Sequence, residues 1–517
     1  MQDFNADLLF PDLVKKAVVA RFDGGDITSD AGFLLLAQAD EKVGLSRALD
    51  GALGDRRQAG KVRHPLRQLL QARLYGIAAG YPDANDHDTL RQDAALKLAC
   101  ARRPQGDGPL ASQPTLSRLE NRVGARDLVR MSHALAERVI AHLPAETRRV
   151  VLDVDASDDP CHGQQQFEEF NAYYACHCYL PLFLHVTDEN GQQWLLSSLL
   201  RPGRAAATKG LRGMLTSAVR LLRQRFPKLE IIVRADSAFG NDKVLRLCDA
   251  LQVDYVLGLP QNPRLQKLST PVQMDACLKY RWAGEGCREF GEFDYRADSW
   301  DKARRVVVKA EITRHELNPR YVVTSLRDNP NEAASPEKFS TEKFSLEKVL
   351  SAKVPPEKIS SAKVPLEKIS SAKVPLEKVS PEKFSPEEVY LFYCKRGEQE
   401  NRIKEMKLDL SSGRTSCHGF LANQFRLLLH AAASVLLSVV QQAAAGTVWA
   451  KAQAGTLRLR LLKVGARVLE SCRKVWVHLS SAFPEQATWH HLHRNLSGAA
   501  PPTPTARTHR KRLLRHA

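Results

Sequence analysis

The sequence predicts a mixed α/β protein in which a helical N-terminal region precedes a mixed β-sheet covered by helices. Two observations predict this class. Hydrophobic residues recur at helical spacing over much of residues 1–145, and from Val150 they alternate with a period of two. Beyond that point the predicted elements follow the order β-β-β-α-β-α-β, which is typical of a mixed sheet with helices on its faces.

The composition is that of a soluble globular protein with an anionic partner. The chain has 517 residues, of which 43% are hydrophobic and 26% charged, and this balance excludes collagen-like, globally disordered and disulfide-rich classes. Its length predicts two to four structural units. Lys and Arg number 76 against 58 Asp and Glu, a formal net charge of +18. The surplus favours nucleic acid over a membrane as the partner, and a merely basic protein is the alternative.

No segment of the sequence predicts secretion or membrane insertion. The N-terminus lacks a charged start followed by an apolar run. The longest apolar stretch, 427–440, is interrupted by His430 and is too short to span a bilayer, so it predicts a buried core helix. The ten cysteines form no paired framework, and those around Cys176 lack the CxxC pairs of a zinc site. These features predict a cytoplasmic protein, and association with DNA would place it at the nucleoid.

Residues 1–145 are the predicted helical region, with a candidate DNA-binding helix inside it. Hydrophobic stripes over 66–77 and 128–139 predict two amphipathic helices. Between them a short polar helix starts near Pro114, because proline suits a first helical turn. This helix carries side chains that suit contacts to DNA phosphates or base edges, with a solvated helix face as the alternative: Ser117, Arg118, Asn121 and Arg122.

Residues 146–261 are the predicted first part of the α/β core, and two carboxylates end its strands. Asp155 ends the first strand and Asp236 ends the fourth. In a sheet of this order the two strands can lie side by side, so the carboxylates would meet at one edge. Close carboxylates repel each other unless cations lie between them, and Mg²⁺ prefers such oxygen ligands. Asp153 lies on the same strand face as Asp155, so the pattern leaves both residues open as the first carboxylate.

Two segments follow the core strands. Residues 262–334 predict a β-rich insertion. Residues 335–389 are a pentad repeat, with units such as SPEKF, SSAKV and PLEKI, in which one apolar residue recurs every five positions. A period of five builds no continuous apolar face on a helix or a strand, so we expect a disordered, solvated linker.

Residues 390–445 predict helices that complete the core. Tyr393, Arg396, Glu400 and Lys407 are spaced at offsets of 0, 3, 7 and 14, which places them on one stripe of a continuous helix. This stripe would place a glutamate that binds metal next to two cations and a phenol that contact phosphate. That combination of side chains suits chemistry on nucleic acid. Residues 446–517 are a basic C-terminal region whose tail suits phosphate contacts.

At these residues the sequence resembles bacterial insertion-sequence transposases of the DDE class that carry a YREK signature helix. The signature Y-x2-R-x3-E-x6-K corresponds to Tyr393, Arg396, Glu400 and Lys407. Four further blocks are similar to this family: LDVDASDDP at 152–160, RADSAFG at 234–240, FDGG with SDAG at 22–32, and ANQ at 422–424. The resemblance covers about residues 20–480 apart from the pentad repeat, which is not typical of the family.

The resemblance implies a ribonuclease-H-like catalytic core in which Asp155, Asp236 and Glu400 bind two Mg²⁺ ions, with Mn²⁺ as a substitute. One ion would activate water or a DNA 3′-hydroxyl for in-line attack, and the other would stabilise the leaving oxygen. Tyr393, Arg396 and Lys407 would hold the DNA backbone. The helical N-terminal region would recognise terminal inverted repeats, and a homodimer would bridge both transposon ends and the target DNA.

The sequence leaves two other functions open. One is a ribonuclease-H-like DNA endonuclease without strand transfer, and the other is a DNA-binding regulator with an inactive core. The β-rich insertion and the large N-terminal region favour the transposase over the nuclease, and the presence of all three carboxylates argues against the regulator.

Overall fold

The computed structural model describes residues 8–10, 18–283, 286–313, 316–326 and 384–498. The chain divides into two compact units. The first unit comprises Met1–Arg122, Leu408–Arg414 and Ala432–Ala517, and the second comprises Val123–Lys407 and Thr415–Ala431.

The described residues form the following strands and helices. The strands are β1 Leu8–Phe10, β2 Val18–Ala20, β3 Ile27–Thr28, β4 Arg149–Ala156, β5 Asp159–Pro160, β6 Glu169–Asn171, β7 Cys176–Tyr179, β8 Leu182–Thr187, β9 Gln193–Leu199, β10 Glu230–Ala235, β11 Asp254–Leu259, β12 Cys287–Tyr295, β13 Arg304–Thr313, β14 Glu316–Thr324, β15 Ala466–Glu470 and β16 Val475–Leu479. The helices are α1 Phe33–Val43, α2 Leu45–Leu53, α3 Leu66–Ala78, α4 His87–Leu90, α5 Ala94–Ala99, α6 Gln113–Asn121, α7 Ala125–His142, α8 Leu211–Arg225, α9 Asp242–Leu251, α10 Pro263–Leu268, α11 Thr270–Ala283, α12 Pro386–Cys394, α13 Gly397–Leu408, α14 Phe420–Ala443, α15 Ala454–Leu457 and α16 Gln486–Ser497. Short 3₁₀ and π segments cover Ala59–Lys61 and Arg458–Leu462.

An eight-stranded mixed sheet forms the centre of the second unit. Its strand order is β12-β13-β14-β11-β10-β4-β8-β9. Strands β4, β8 and β9 form an antiparallel meander, whereas β10 pairs parallel to β4 and β11 parallel to β10. This is the strand arrangement of a ribonuclease-H-like core. The predicted fold class is therefore confirmed, and so is the predicted pairing of the first and fourth core strands.

Hydrophobic burial explains why these segments form central strands. Six consecutive residues of β4, Val150–Asp155, are buried, as expected for a strand covered on both faces. The apolar stripe of α8 is almost fully buried at Leu211, Leu215 and Leu222. The sequence predicted each of these elements within a few residues. It did not predict the small sheet β5-β7-β6 that the chain forms directly after β4.

The region predicted as a β-rich insertion has a different structure from the one expected. It begins with two helices, α10 and α11, so the prediction of strands from residue 262 was wrong over 263–283. Asn262 caps α10 by accepting a hydrogen bond from the Leu265 amide, and Ala276 and Cys277 of α11 pack on β13. The three strands that follow join the main sheet through β14 and β11.

The pentad repeat lies outside the described residues, except for its end. The expectation of a disordered linker is wrong at the last pentad, because α12 begins at Pro386 with a capping box formed by Ser385 and Glu388. On either side of the undescribed segment, the carbonyls of Leu326 and Phe384 both accept hydrogen bonds from Arg305, at 2.6 and 2.9 Å. The two described residues that flank this segment are therefore held by one guanidinium group.

The first unit is mainly helical, and C-terminal residues complete it. Strand β15 pairs with β16 and with the N-terminal strand β3, a long-range pairing that the sequence did not predict. The N-terminal region was predicted to extend to residue 145, but the N-terminal segment of the first unit ends at Arg122. Helix α7 belongs to the second unit because its buried face packs against β9 and α8, where Ser132 contacts Ser197 and His133 contacts Ser217.

Helix α14 is long and apolar enough to cross a membrane. However, 83% of its most apolar stretch is buried inside the protein, including His430. This burial confirms the prediction that the apolar stretch 427–440 forms a core helix.

Burial of His185 predicts that stability falls in acid. Burial and then the charge of Arg402 lower the pKa of His185 from 6.5 to about 3. The unfolded chain takes up a proton below pH 6.5 that the folded protein does not, so stability is complete above pH 6.5 and declines toward pH 3. Between pH 7 and pH 5 we expect this residue to remove about 2 kcal/mol from the free energy of unfolding. Urea unfolding of His185→Asn should lack this component, whereas the exposed control His162→Asn should retain it.

Candidate active site

Two carboxylates lie at the ends of the central parallel strands. Val154 of β4 is the register partner of Ala235 of β10, so Asp155 and Asp236 follow at the same edge of the sheet. The Asp155 side chain accepts a hydrogen bond from the Ala156 amide at 2.8 Å. Asp236 ends its strand in a tight turn and accepts a hydrogen bond from the Ala238 amide at 2.9 Å. The turn leaves Asp236 partly exposed at the end of β10.

The two candidates for the first carboxylate have different surroundings. Asp153 is completely buried, and both of its oxygens accept hydrogen bonds from Arg234, at 2.6 and 2.9 Å. Thr187 and Gln193 also donate to it. Asp155, two residues later, lies at the partly open end of the strand. The oxygens of Asp153 are therefore engaged inside the sheet, whereas Asp155 faces the other acidic residues.

The segment with the signature spacing is two helices rather than one. Helix α12 ends at Cys394 and α13 begins at Gly397, so the predicted single stripe through Tyr393, Arg396, Glu400 and Lys407 is wrong. The Arg396 amide donates to Tyr393, three residues back, and the Phe392 carbonyl accepts instead from Arg234. Glycine at 397 lowers helix propensity at the break.

Arg396 contacts two carboxylates that are distant from each other in the sequence. Its guanidinium lies 3.4 Å from Asp155 and 2.7 Å from Glu400. Burial, together with the negative charges of Asp236 and Glu400, raises the pKa of Asp155 to about 6, while Arg396 opposes the shift. The three carboxylates are thus within electrostatic reach of one another, with one guanidinium partly balancing their charge.

The remaining signature residues lie around the same strand ends. The Lys407 amine donates to Asp158 at 2.7 Å and to Ser157 at 3.2 Å, just beyond β4. Tyr393 is partly buried, and its hydroxyl lies 2.6 Å from the position that a Cβ atom on Gly258 would occupy. Burial raises the pKa of Tyr393, so this side chain is a neutral phenol at pH 7.

The donor atoms at these strand ends suit a hard divalent cation. Asp155, Asp236 and Glu400 offer only carboxylate oxygens, and their mutual repulsion favours a bound cation. Within the described part of the chain, no group of three acidic, histidine or cysteine side chains is close enough to form a metal centre as it stands. Instead, Arg396 contacts two of the carboxylates.

Two of the predicted DNA-binding side chains, Arg118 and Asn121, lie on α6 in the first unit, and Arg122 directly follows this helix. Arg118 and Asn121 are exposed, and each donates to a carbonyl four residues earlier on its own helix. Arg122 is also exposed and lies 3.6 Å from Asp55. The buried face of α6 holds Leu116, which leaves the polar face accessible.

The sequence alone did not single out three residues that lie close to the carboxylates. Arg234 and Gln399 are buried polar residues, each within two positions of a candidate carboxylate, and Gly258 lies against the turn after Asp236. Arg234 could have been noticed in the sequence because it is a charged residue at the end of a hydrophobic strand. The position of Gln399 has no signal in the sequence, because its contact with the Asp153 carbonyl joins distant segments.

A ribonuclease-H-like sheet with acidic residues at the ends of its central parallel strands is typical of enzymes that cleave nucleic-acid phosphodiesters. The family model described as transposase DDE domain group 1 matches residues 10–345 and 376–501, and the chain belongs to this family. The interruption of the match falls inside the pentad repeat. No curated protein matches the chain.

Among solved structures, the chain is similar to one entitled "Crystal structure of a pre-cleavage Mos1 transpososome". The identity is 12%, the match covers 44% of this chain and 68% of that chain, and the TM-score is 0.14.

Family membership confirms that the protein is a DNA transposase of the DDE class. Members of this family carry out metal-dependent DNA cleavage and strand transfer, so the nuclease and regulator alternatives are not favoured. The family also confirms DNA as the partner and a divalent metal as the typical cofactor.

Proposed function

We propose that Asp155, Asp236 and Glu400 are the catalytic carboxylates of this transposase and hold two Mg²⁺ ions, with Mn²⁺ as a substitute. The observation that carries this proposal is the contact of one guanidinium, Arg396, with both Asp155 and Glu400, next to Asp236. The engagement of Asp153 with Arg234 supports Asp155 as the first carboxylate.

Each residue has a distinct role in this proposal. The carboxylates supply oxygen ligands, and Arg396, Lys407 and Tyr393 contact the DNA backbone beside the scissile phosphate. Bound divalent cations would activate the attacking hydroxyl and stabilise the leaving oxygen. When DNA enters, Arg396 exchanges its carboxylate partners for phosphate oxygens, because a guanidinium can bind either anion in a bidentate manner.

Metal rescue tests the assignment. Asp236→Cys should lose cleavage and strand transfer in Mg²⁺, because a thiolate is a poor ligand for this hard ion, and should recover part of its activity in Mn²⁺. The substrate is DNA that carries the terminal inverted repeats of the element, and the parent protein in both metals gives the reference ratio. A variant with parent-level activity in Mg²⁺ would contradict the role of Asp236.

We further propose that α6 recognises the terminal inverted repeats and that a homodimer bridges the two transposon ends. The exposed cluster of Arg118, Asn121 and Arg122 supports the first proposal, because these side chains can contact both phosphates and base edges. Bridging of two ends by two copies would be tested by the stoichiometry of the protein–DNA complex in analytical ultracentrifugation.

Loss of charge on α6 should weaken DNA binding. For the double variant Arg118→Ala with Arg122→Ala, we expect lower affinity for inverted-repeat DNA. We also expect the slope of log K against log salt to fall by about two, one unit for each lost phosphate contact. Fluorescence anisotropy at several salt concentrations measures both effects. The control removes Arg264 and Arg288, two exposed arginines of the second unit, and should leave the slope unchanged.

The pentad repeat should be dispensable for catalysis. We expect deletion of residues 346–375, the segment that the family model leaves unmatched, to change cleavage by no more than about twofold. The reason is that Arg305 holds the described residues on both sides of the repeat, Leu326 and Phe384, and shortening a long loop changes its closure entropy little. Cleavage assays and thermal unfolding of the deletion variant check this. A large loss of cleavage in a normally folded variant would show that the repeat takes part in the reaction.

A further inference from the structure

A buried polar network joins the three chain segments that carry the proposed catalytic carboxylates. Its members are Asp153 on β4, Arg234 on β10 and Gln399 on α13, and all three are almost completely buried. Asp153 and Arg234 each lie two residues before a proposed carboxylate, and Gln399 immediately precedes Glu400.

The first link of the network crosses the two central strands. Asp153 and Arg234 are register partners on parallel strands, and two hydrogen bonds of 2.6 and 2.9 Å join their side chains. This bidentate geometry fixes the register of the two strands, because a shift along either strand would break both bonds. The positions of Asp155 and Asp236 at the sheet edge depend on that register.

The second link attaches α12, and the third attaches α13, to this pair of side chains and strands. The remaining Arg234 nitrogen donates to the Phe392 carbonyl at 2.7 Å, and the guanidinium lies 5.0 Å from the centre of the Phe392 ring. Gln399 donates to the Asp153 carbonyl at 2.9 Å and contacts His185 at 3.3 Å. Tyr393 and Glu400 directly follow these two anchored residues.

Stability alone is a weak reason for such a network. Desolvation of a buried ion pair costs several kcal/mol, and hydrophobic residues of similar volume often stabilise a protein as well or better. The ion pair and the Gln399 amide instead hold three segments in one arrangement. These segments lie between 81 and 246 residues apart in the sequence.

We infer that Arg234 and Gln399 are positioning residues, which hold Asp155, Asp236 and Glu400 together on one face that binds a divalent cation. They act through the carboxylates and contact neither the DNA nor the cation. This inference rests on the proposed function of the three carboxylates.

The first test removes one amide. Gln399→Met keeps the length of the side chain and removes its hydrogen bonds to Asp153 and His185. We expect Mn²⁺ affinity, titrated on the DNA-free protein by electron paramagnetic resonance, to fall about 10-fold, and the Mg²⁺ concentration for half-maximal cleavage to rise by a similar factor. Affinity for inverted-repeat DNA without metal should stay within about twofold, because it depends on phosphate contacts. A purely structural role would lower only the unfolding temperature.

The second test replaces the ion pair as a whole. Asp153→Leu combined with Arg234→Met leaves no unpaired buried charge, so this double variant is expected to fold. It should nevertheless show the same loss of Mn²⁺ affinity and a slower rate of cleavage. If the double variant does not fold, Gln399→Met decides the question.

The matched control is a buried arginine of the same sheet. Arg304 on β13 is buried and bonded to Asp249 and Tyr255. The combination of Arg304→Met and Asp249→Leu should change the unfolding temperature and leave Mn²⁺ affinity at the parent value.

The outcomes separate the two proposals. If Glu400→Gln remains active, the proposed function fails. If Glu400→Gln is inactive while Gln399→Met and the folded ion-pair variant bind Mn²⁺ as the parent does, the carboxylate assignment stands and the positioning role is overturned.

Discussion

Replacement of Glu400 by glutamine is expected to reduce strand cleavage on the order of 10³-fold, the largest effect that we predict for a single substitution. The amide keeps the size of the side chain and removes the negative charge that we propose to hold the cation. Binding to inverted-repeat DNA should change by no more than about twofold, because it depends mainly on phosphate contacts elsewhere. Cleavage of labelled DNA in Mg²⁺, together with fluorescence anisotropy, measures the two quantities.

Glu398 is the matched control for this substitution. It is an exposed glutamate on the same helix, two residues earlier. We expect Glu398→Gln to cleave at the parent rate. Equal rates for the parent and both variants would remove Glu400 from the mechanism, and equal losses in both variants would point to a general effect on α13.

Addition of one methyl group at Gly258 is expected to produce the second largest effect. A Cβ atom there would lie 2.6 Å from the Tyr393 hydroxyl, 2.8 Å from the Ser237 amide and 3.2 Å from the Asp236 carbonyl carbon. Because two of these three atoms belong to backbone, the turn that carries Asp236 must move. We expect Gly258→Ala to lose about 10²-fold in cleavage and about 1–3 kcal/mol in the free energy of unfolding.

Gly213→Ala provides the comparison for this variant. Gly213 lies in α8 of the same unit, and no atom lies within 4 Å of the position of its added Cβ. Alanine should stabilise the helix there by about 0.5–1 kcal/mol and leave cleavage unchanged. Urea unfolding and cleavage assays of both variants test the pair. If Gly258→Ala cleaves like the parent, the close approach at Gly258 does not constrain the position of Asp236.

Strands and helices with strong periodicity were predictable from the sequence. The alternation around Val150 and the stripe at Leu211 and Leu215 led to β4 and α8. Prediction was wrong where a local signal competed with a tertiary contact. The spacing of Tyr393 and Glu400 fits one helix, yet the bond from Arg234 to the Phe392 carbonyl coincides with a break between two helices.

Long-range pairing was the other source of error. Residues 466–470 read as part of a basic C-terminal region, but they pair with Ile27 and Thr28 to complete the first unit. Likewise, α7 has an ordinary amphipathic sequence, and its membership of the second unit follows only from its packing on β9 and α8. No local pattern specifies the partner of an apolar face, because any apolar face of similar shape can cover it.

The sequence by itself determined the fold class, the family and the candidate carboxylates, because periodicity, residue type and spacing are local properties of the chain. Only the tertiary structure shows that Asp153 and Asp155, which lie on one face of β4, have different surroundings. Arg234 engages the first inside the sheet, and the strand end brings the second to Arg396 and Glu400. Burial and charge partners come from distant segments, so no local pattern specifies the different surroundings of these two identical side chains.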